Sequence, residues 1–287
     1  MKLGLAQLNS RQNKDLNLAA AGEAITKLAA QGADLVMLPE VSNFHGLDAD
    51  YAEAAEPIPG PYTEWCSAQA RKHGIFLHCG SFAERRAGEG AERRTEAGGG
   101  GGRAAGLGRV YNTSVVFDRQ GAELARYSKI HLFDAITPDG LEYKESAAFA
   151  PGNEVVTCDC DGVRFGLTIC YDVRFPELYH ALADKSAQVL LVPAAFTIPT
   201  GIAQWEPCLR ARAIENGCYA AGCGQWGRYA RGRENYGHSM VVDPWGTVIA
   251  QCRDGVSALV ADLDLDYLEA VRQRLPIQRH RRRDLFG

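Results

Sequence analysis

Three polar residues stand in apolar surroundings where a side chain of that type calls for an explanation. Cys170 ends the apolar run VRFGLTIC, Glu40 directly follows DLVMLP, and Lys129 lies in RYSKIHLFD among aromatic and aliphatic residues. Hydrolysis of an amide needs a nucleophile, a group that carries protons and a donor that stabilises the oxyanion. A cysteine, a glutamate and a lysine supply these three functions.

Each of these residues also has an ordinary structural interpretation. A cysteine is often a small buried apolar residue, a lysine among apolar neighbours often keeps its ammonium in water, and a glutamate after a strand is often exposed. Their placement favours chemistry, because α/β sheets build their sites at strand ends. A turn from a strand into a helix also offers N–H groups, which would favour the thiolate of Cys170.

The elements that would position these residues follow from the apolar pattern. Short buried runs alternate with amphipathic stretches, which indicates a layered α/β domain. The predicted strands are 3–8, 34–38, 75–79, 111–117, 164–168, 189–192, 218–222, 239–242 and Ser257–Asp262. The predicted helices are 16–30, 62–73, Pro176–Asp184 and 202–216.

A glycine-rich segment interrupts this pattern. Residues from about 85 to 108 mix charges with the run GGGGG at 98–102 and contain almost no large apolar side chain. No GK[ST] follows the glycines, so a phosphate-binding loop is disfavoured and a flexible hairpin insertion is predicted. The remainder of 1–287 is predicted to form one domain.

Composition excludes several classes of protein. The net charge of -4 and the pI near 6.0 give no general attraction to nucleic acid or to an anionic membrane, and the short basic run at 279–283 is interpreted as a solvated or subunit-packing tail. No apolar stretch approaches a membrane span, and the N-terminus does not read as a signal peptide, so a cytoplasmic location is expected. The nine cysteines contain no CxxC pair, and no histidine spacing is typical of a metal site, so neither disulfides nor a metal are expected.

The motifs around these residues resemble those of the nitrilase (carbon–nitrogen hydrolase) superfamily. The similar segments are LMLPE, YSKIHLFD and ICYDVRFPEL, and the resemblance continues through PAAFTIPTG, NYGHSMVVDPWG and HRRRDLFG, covering nearly the whole chain. Within the superfamily the chain resembles the Nit branch, and the deaminated glutathione amidases more than the omega-amidases. It departs from the Nit pattern at Gln204, where the pattern TGxAHWE has histidine. It also lacks the second acidic residue that usually follows HLFD, since the chain continues as HLFDAIT.

This resemblance implies a fold and a set of roles. The fold would be an α-β-β-α sandwich, and subunits would pair across the helical face as a homodimer or a higher homo-oligomer. Glu40 would be the base, Lys129 and the backbone N–H of Tyr171 would stabilise the oxyanion, and Cys170 would be the nucleophile. The family adds a second carboxylate, which maps onto Glu145. The reaction would need no cofactor.

The predicted substrate is a small amide that carries a carboxylate, with deaminated glutathione as the main expectation. Arg174, four residues past Cys170, could pair with that carboxylate, although an ion pair with Asp172 or Glu177 is the alternative. Phe196 and Thr197 follow the strand VLLVPA and are expected to line the pocket.

Three other functions remain open from the sequence. An omega-amidase acting on alpha-ketoglutaramate would use the same residues with a shorter pocket. A non-catalytic interaction protein could keep the fold alone, but it would have no reason to retain all four polar residues. A redox-sensing cysteine protein would need a second thiol near Cys170, which sequence cannot place.

Overall fold

The computed structural model describes residues 1–86 and 110–286. The predicted glycine-rich insertion lies outside these residues apart from its first two positions, and its conformation stays a prediction. The described strands are β1 (Lys2–Gln7), β2 (Leu35–Met37), β3 (Phe76–His78), β4 (Phe82–Glu84), β5 (Val110–Phe117), β6 (Glu123–Ser128), β7 (Asp134–Ile136), β8 (Glu142–Lys144), β9 (Phe149–Ala150), β10 (Thr157–Cys160), β11 (Val163–Leu167), β12 (Val189–Ala194), β13 (Tyr219–Gly224), β14 (Trp226–Ala230), β15 (Arg233–Tyr236), β16 (Met240–Val242), β17 (Val248–Gln251) and β18 (Ser257–Asp262). The helices are α1 (Lys14–Ala30), α2 (Tyr51–Ala54), α3 (Pro61–His73), α4 (Pro176–Asp184), α5 (Ile198–Asn216), α6 (Leu265–Arg274), α7 (Ile277–His280) and α8 (Arg283–Phe286).

Two sheets form the centre of the fold. The first has the order β18-β1-β2-β3-β5-β4, with β6 and β9 also pairing with β5. The second has the order β10-β11-β12-β13-β16-β17. Helices α1 and α3 pack on the first sheet, and α4 and α5 pack on the second. The expected α-β-β-α sandwich is confirmed.

The alternation of side chains along β1 and β2 explains this layering. Leu3, Leu5 and Met37 belong to the core shared by the two sheets, whereas Val36 and Ala6 belong to the core beneath α1 and α3. Successive residues of a strand face opposite sides, so a strand that is apolar at every position can fill two cores.

Helix ends follow local chemistry. Asn13 caps α1 by accepting the N–H of Leu16 at 3.0 Å. Helix α3 begins at Pro61 and ends before Gly74, which has a left-handed φ of 63°. Proline suits the first helical position because it lacks a donor, and glycine suits the position after a helix because a left-handed φ costs it little.

The predicted elements exist, but the structure also contains elements that were not predicted, among them β4, β6, β9, β17, α2, α6, α7 and α8. Helix α5 begins at Ile198 rather than 202, since Pro199 is tolerated in a first turn. Strand β18 is only half-buried, because it lies at the edge of the first sheet. The short strands β7, β8, β14 and β15 were not predicted; they form two separate hairpins without a long apolar run.

Candidate active site

A buried ionic cluster joins three of the predicted residues. The Lys129 ammonium lies 3.0 Å from Glu40 Oε1 and 2.9 and 2.8 Å from the two carboxylate oxygens of Glu145. Lys129 is 2% exposed and Glu40 is 4% exposed, so the cluster is shielded from water. The interpretations of Lys129 as a snorkelling side chain and of Glu40 as an exposed loop acid are therefore wrong.

The charges determine the proton affinities of this cluster. Burial alone lowers the pKa of Lys129, but the attraction of Glu145 and Glu40 outweighs it and holds that pKa well above its usual range. Burial raises the pKa of Glu145, and the Lys129 charge offsets part of this rise. The lysine is thus a permanent cation between two carboxyl groups.

Asn112 on β5 completes the cluster. Its Nδ2 donates to Glu40 Oε1 at 2.9 Å and to Glu145 Oε1 at 3.2 Å. The backbone N–H of Phe133 donates to Glu145 Oε2 at 2.6 Å. These donors supply the carboxylates with partners that the single lysine cannot provide.

The backbone around Glu40 is held in an unusual conformation. Glu40 follows β2 at its carboxyl end, and the next residue, Val41, has a φ of 50°, which is rare for a β-branched residue. Gly80 also has a left-handed φ, 70°, and a Cβ there would lie 1.9 Å from the Pro39 carbonyl oxygen. Only glycine allows this approach, so Gly80 fixes the loop that presents Glu40.

Cys170 lies at the second strained position. It follows β11, has a φ of 47° and begins a 3₁₀ turn over Cys170–Arg174 that leads to α4. The predicted strand-to-helix turn is confirmed. Non-glycine residues in this conformation cluster at functional sites, where the surrounding structure must hold them.

Burial and neighbouring charges act on the Cys170 thiol in opposite directions. Burial and the nearby Glu40 carboxylate raise the pKa of Cys170 well above its usual range, and Lys129 and a backbone hydrogen bond with Ala195 lower it by less. The raised pKa favours the protonated thiol, which a base would have to deprotonate. The role of Glu40 as that base stays a prediction.

A cleft opens over Cys170, and the three residues predicted to contact the substrate, Arg174, Phe196 and Thr197, all line it. It is lined by Phe133, Tyr171, Arg174, Phe196, Thr197 and Thr200. A larger open groove lies between α1 and α3, but no residue of the ionic cluster lines it.

Arg174 forms neither of the ion pairs considered from the sequence. Its Nη1 donates to the side-chain oxygen of Gln204 on α5, and its guanidinium lies 5.5 and 5.2 Å from the ring centres of Tyr171 and Phe196. Within 1–86 and 110–286 no carboxylate forms an ion pair with Arg174. Its positive charge therefore lines the cleft without a counter-ion from the described part of the chain.

Comparison with known proteins identifies the family at this point. A model of the carbon-nitrogen hydrolase family matches residues 2–273. The chain belongs to this family.

The relatives of this carbon–nitrogen hydrolase have two activities in their names. The deaminated glutathione amidase of Homo sapiens is 39% identical over 287 residues, 99% of this chain and 83% of the relative. The omega-amidase NIT2-A of Xenopus laevis is 37% identical over 286 residues, 100% of this chain and 96% of the relative. The Nit3 structure from Saccharomyces cerevisiae, a member of branch 10 of the nitrilase superfamily, aligns with a TM-score of 0.84 at 30% identity, covering 98% of this chain and 96% of that one. The hydrolase therefore acts on amides, and the similar identities do not choose between the two substrates.

Two buried residues of the site escaped the sequence predictions. Asn112 carried one signal, a polar amide inside the apolar strand YNTSVVF. Asp172 was considered only as a partner of Arg174, whereas it is fully buried and accepts hydrogen bonds from Ile169, His131 and Tyr127. The structure brings Glu40, Lys129, Glu145 and Cys170 together with the cleft residues; their roles in a reaction stay predictions.

Other ligand classes find little support among the described residues. No three His, Cys, Asp or Glu side chains in 1–86 and 110–286 are arranged to hold a metal ion. Across the same ranges, no helix combines the length and apolarity that a membrane span requires. Arg281 and Arg283 of the basic tail pair with Asp184.

Proposed function

We propose that this hydrolase cleaves the amide of deaminated glutathione, or of a similar small amide with a carboxylate, through a thioester on Cys170. One observation carries the proposal most directly: a buried Glu40–Lys129–Glu145 cluster lies close to Cys170, which lines a cleft together with Arg174, an arginine that forms no ion pair with a carboxylate of 1–86 and 110–286. The human relative with this activity in its name adds support.

The first half of the reaction forms the thioester. Glu40 takes the proton of Cys170, and the sulfur attacks the amide carbonyl carbon. Lys129 and the backbone N–H of Tyr171 stabilise the negative oxygen that develops. Glu40 then gives its proton to the leaving nitrogen, which departs as the amine of cysteinylglycine from deaminated glutathione, or as ammonia from a primary amide such as alpha-ketoglutaramate.

The second half regenerates the enzyme. Glu40 takes a proton from water, the resulting hydroxide attacks the thioester, and Lys129 and Tyr171 again stabilise the oxyanion. The carboxylic acid leaves, and the proton returns from Glu40 to the Cys170 sulfur. Glu145 holds the ammonium in place throughout, because it contacts Lys129 with both carboxylate oxygens.

Glu40 and Glu145 can therefore have different roles, with Glu40 transferring protons and Glu145 positioning Lys129. When Glu40 gains the thiol proton it loses its charge, which weakens its attraction to Lys129. An N–H of Lys129 then becomes available to the oxyanion at the stage when the negative charge forms. Glu145 contacts Lys129 with both carboxylate oxygens and so prevents the lysine from moving away.

The cleft supports an acidic substrate. Arg174 is held by the neutral Gln204 and by two aromatic rings, so its guanidinium can form a bidentate pair with a carboxylate. Thr197 and Thr200 have hydroxyl groups 2.8 Å apart on the same wall. Both proposed substrates carry a carboxylate, so an omega-amidase acting on alpha-ketoglutaramate is the second candidate, and the Xenopus relative favours it.

The test measures release of cysteinylglycine from deaminated glutathione and of ammonia from alpha-ketoglutaramate, with the wild type and Cys170→Ala. The proposal predicts a higher kcat/KM for the first substrate and no turnover by Cys170→Ala. A higher kcat/KM for alpha-ketoglutaramate would make the hydrolase an omega-amidase, and turnover by Cys170→Ala would exclude the thioester. Cys208→Ser, a change at a half-buried cysteine of α5, should retain activity.

Arg174→Ala tests the recognition of the carboxylate. The KM for acidic amides should rise by about 10-fold or more, as expected for the loss of a charged hydrogen bond, while activity on a neutral amide changes little. Equal losses on both kinds of amide would show that Arg174 is structural.

The proposal also includes a homo-oligomer and a cytoplasmic location. Exposed apolar side chains at Ile202 and Ile214 on α5, and at Trp245, support pairing across this helical face. Light scattering after size-exclusion chromatography should give at least twice the mass of 31.2 kDa. Ile202→Glu should shift the mass toward the monomer.

A further inference from the structure

Asp172 is a buried carboxylate near the thiol, and both of its oxygens have hydrogen-bond partners. It lies in the 3₁₀ turn two residues past Cys170 and has no exposed surface. Its Oδ1 accepts the backbone N–H of His131 at 3.0 Å and lies 2.7 Å from His131 Nδ1. Its Oδ2 accepts the Tyr127 hydroxyl at 2.7 Å and the Ile169 N–H at 2.9 Å.

These donors come from the two segments that carry the proposed catalytic groups. Tyr127 and His131 lie two residues before and two residues after Lys129, whereas Ile169 directly precedes Cys170. Asp172 therefore ties the chain around the lysine to the chain around the thiol. In the described residues, none of these four bonds is part of a sheet ladder between the two segments.

The chemistry of the contacts requires a carboxylate. Each oxygen accepts one backbone N–H, from His131 or from Ile169, and lies close to a second polar group, His131 Nδ1 or the Tyr127 hydroxyl. In Asp172→Asn, an NH₂ group would replace one of the two oxygens. It would then face the backbone N–H of His131 or of Ile169, and two donors cannot bond to each other. The bonds to that side would be lost, and the turn at Cys170 would lose a support for its left-handed φ of 47°.

We propose that Asp172 is a positioning residue that sets the Lys129 ammonium relative to the Cys170 sulfur. The inference rests on the proposed function, because the distance between the Lys129 ammonium and the Cys170 sulfur matters only if Lys129 stabilises the oxyanion. A displacement of about 1 Å between reacting groups can cost roughly 10²-fold in rate even when substrate still binds. Asp172 touches neither group and acts through the two segments.

The first test is Asp172→Asn, with kcat and KM measured per active site titrated by covalent labelling of Cys170. The expected result is a folded enzyme with kcat lower by about 10²-fold and a KM within a few-fold of the wild type. A merely structural role would reduce the number of titratable sites and leave kcat per site unchanged, which would overturn the proposal.

A matched control separates position from stability. Asp243 is also buried and accepts two backbone N–H groups, from Trp245 and Thr247 at 2.9 Å, in the turn between β16 and β17. Asp243→Asn should lower the melting temperature while kcat per site stays at the wild-type value. An equal loss of kcat in both variants would contradict a specific role for Asp172.

Two further measurements keep the proposal falsifiable. If Asp172→Asn does not fold, Tyr127→Phe removes one donor alone and should lower kcat several-fold at constant KM; an unchanged kcat would overturn the proposal. Alkylation of Cys170 by iodoacetamide needs no substrate and should be slower in Asp172→Asn at a fixed pH, because Lys129 no longer favours the thiolate. A wild-type alkylation rate in the folded variant would contradict the positioning role even if the amide substrate proves to be a different one.

Discussion

The strand pair β5–β6, together with Lys129 directly after β6, contributes side chains to two buried ionic clusters, one on each face of the pair. Thr113 and Ser128 are opposite each other in the pair and belong to a cluster around Glu84. Their neighbours in sequence, Asn112 and Lys129, belong to the cluster at the cleft. Because successive residues of a strand face opposite sides, two adjacent pairs of residues build two different clusters.

The two clusters differ in their balance of charge. Glu84 is buried, and its two cations, Arg86 and Arg126, have side chains that are 31% and 34% exposed. At the cleft a single fully buried Lys129 faces two carboxyl groups, Glu40 and Glu145. The charge of Glu84 is balanced by two arginines, so the contacts of this cluster stabilise the fold. A buried excess of carboxylate leaves one group that can accept a proton and return it, which is what a base must do.

The comparison predicts the largest difference between Lys129→Met and Arg126→Met. Loss of one oxyanion donor typically costs about 10²–10³-fold in turnover, so Lys129→Met should be nearly inactive. Arg126→Met removes a partly exposed cation, should cost about 1 kcal/mol of stability or less, and should leave kcat unchanged. Steady-state release of the amine product and thermal unfolding of both variants check this. Comparable losses of kcat would show that the two clusters do not differ in function.

The pH dependence of Cys170 alkylation should show the next largest effect. Its raised pKa leaves the thiol protonated at neutral pH, and the thiolate fraction grows roughly tenfold per pH unit below that pKa. The rate of labelling by iodoacetamide should therefore still be rising above pH 9, with peptide mass spectrometry identifying the residue. A plateau below pH 8 would mean that the site holds a resting thiolate and needs no base for the first step.

A smaller difference is expected between Asn112→Leu and Thr113→Val. The first removes two hydrogen bonds to carboxyl groups at the cleft and should lower kcat by about 10-fold. The second removes one hydrogen bond to Glu84 and should cost about 1 kcal/mol of stability without lowering kcat. If Thr113→Val were the slower enzyme, the assignment of the two faces would be wrong.

The sequence predicted the layers better than it predicted the clusters. Continuous apolar runs such as 34–38 mark strands buried on both faces, and helices α1, α3 and α4 begin and end close to the predicted positions. Glu40, Lys129, Cys170 and Glu145 came from strand-end placement and from the family resemblance. Asn112 lies 72 residues from Glu40 and 33 from Glu145, and no local pattern reports a contact over such separations.

The thiol illustrates why the remainder could not be predicted. A strand-to-helix turn indicates N–H groups near Cys170, and by itself it favours a thiolate. Burial and the Glu40 carboxylate raise the pKa of Cys170, and both effects depend on packing between distant segments. They exceed the effects that lower this pKa. For the same reason the sequence left open an ion pair for Arg174, whereas its partner is the amide of Gln204, 30 residues away.

The most direct test of the account compares Glu40→Gln with Glu84→Gln. Both changes keep the shape of a buried side chain and remove one negative charge, from the cleft cluster and from the opposite face. We measure release of the amine product per folded protein, which is cysteinylglycine from deaminated glutathione or ammonia from alpha-ketoglutaramate, together with thermal unfolding. The account predicts that Glu40→Gln loses roughly 10³-fold or more in kcat with the fold intact. It predicts that Glu84→Gln keeps its kcat and loses about 1–3 kcal/mol of stability. Wild-type turnover by Glu40→Gln would contradict the central claim that the buried excess of carboxylate is the base of this hydrolase.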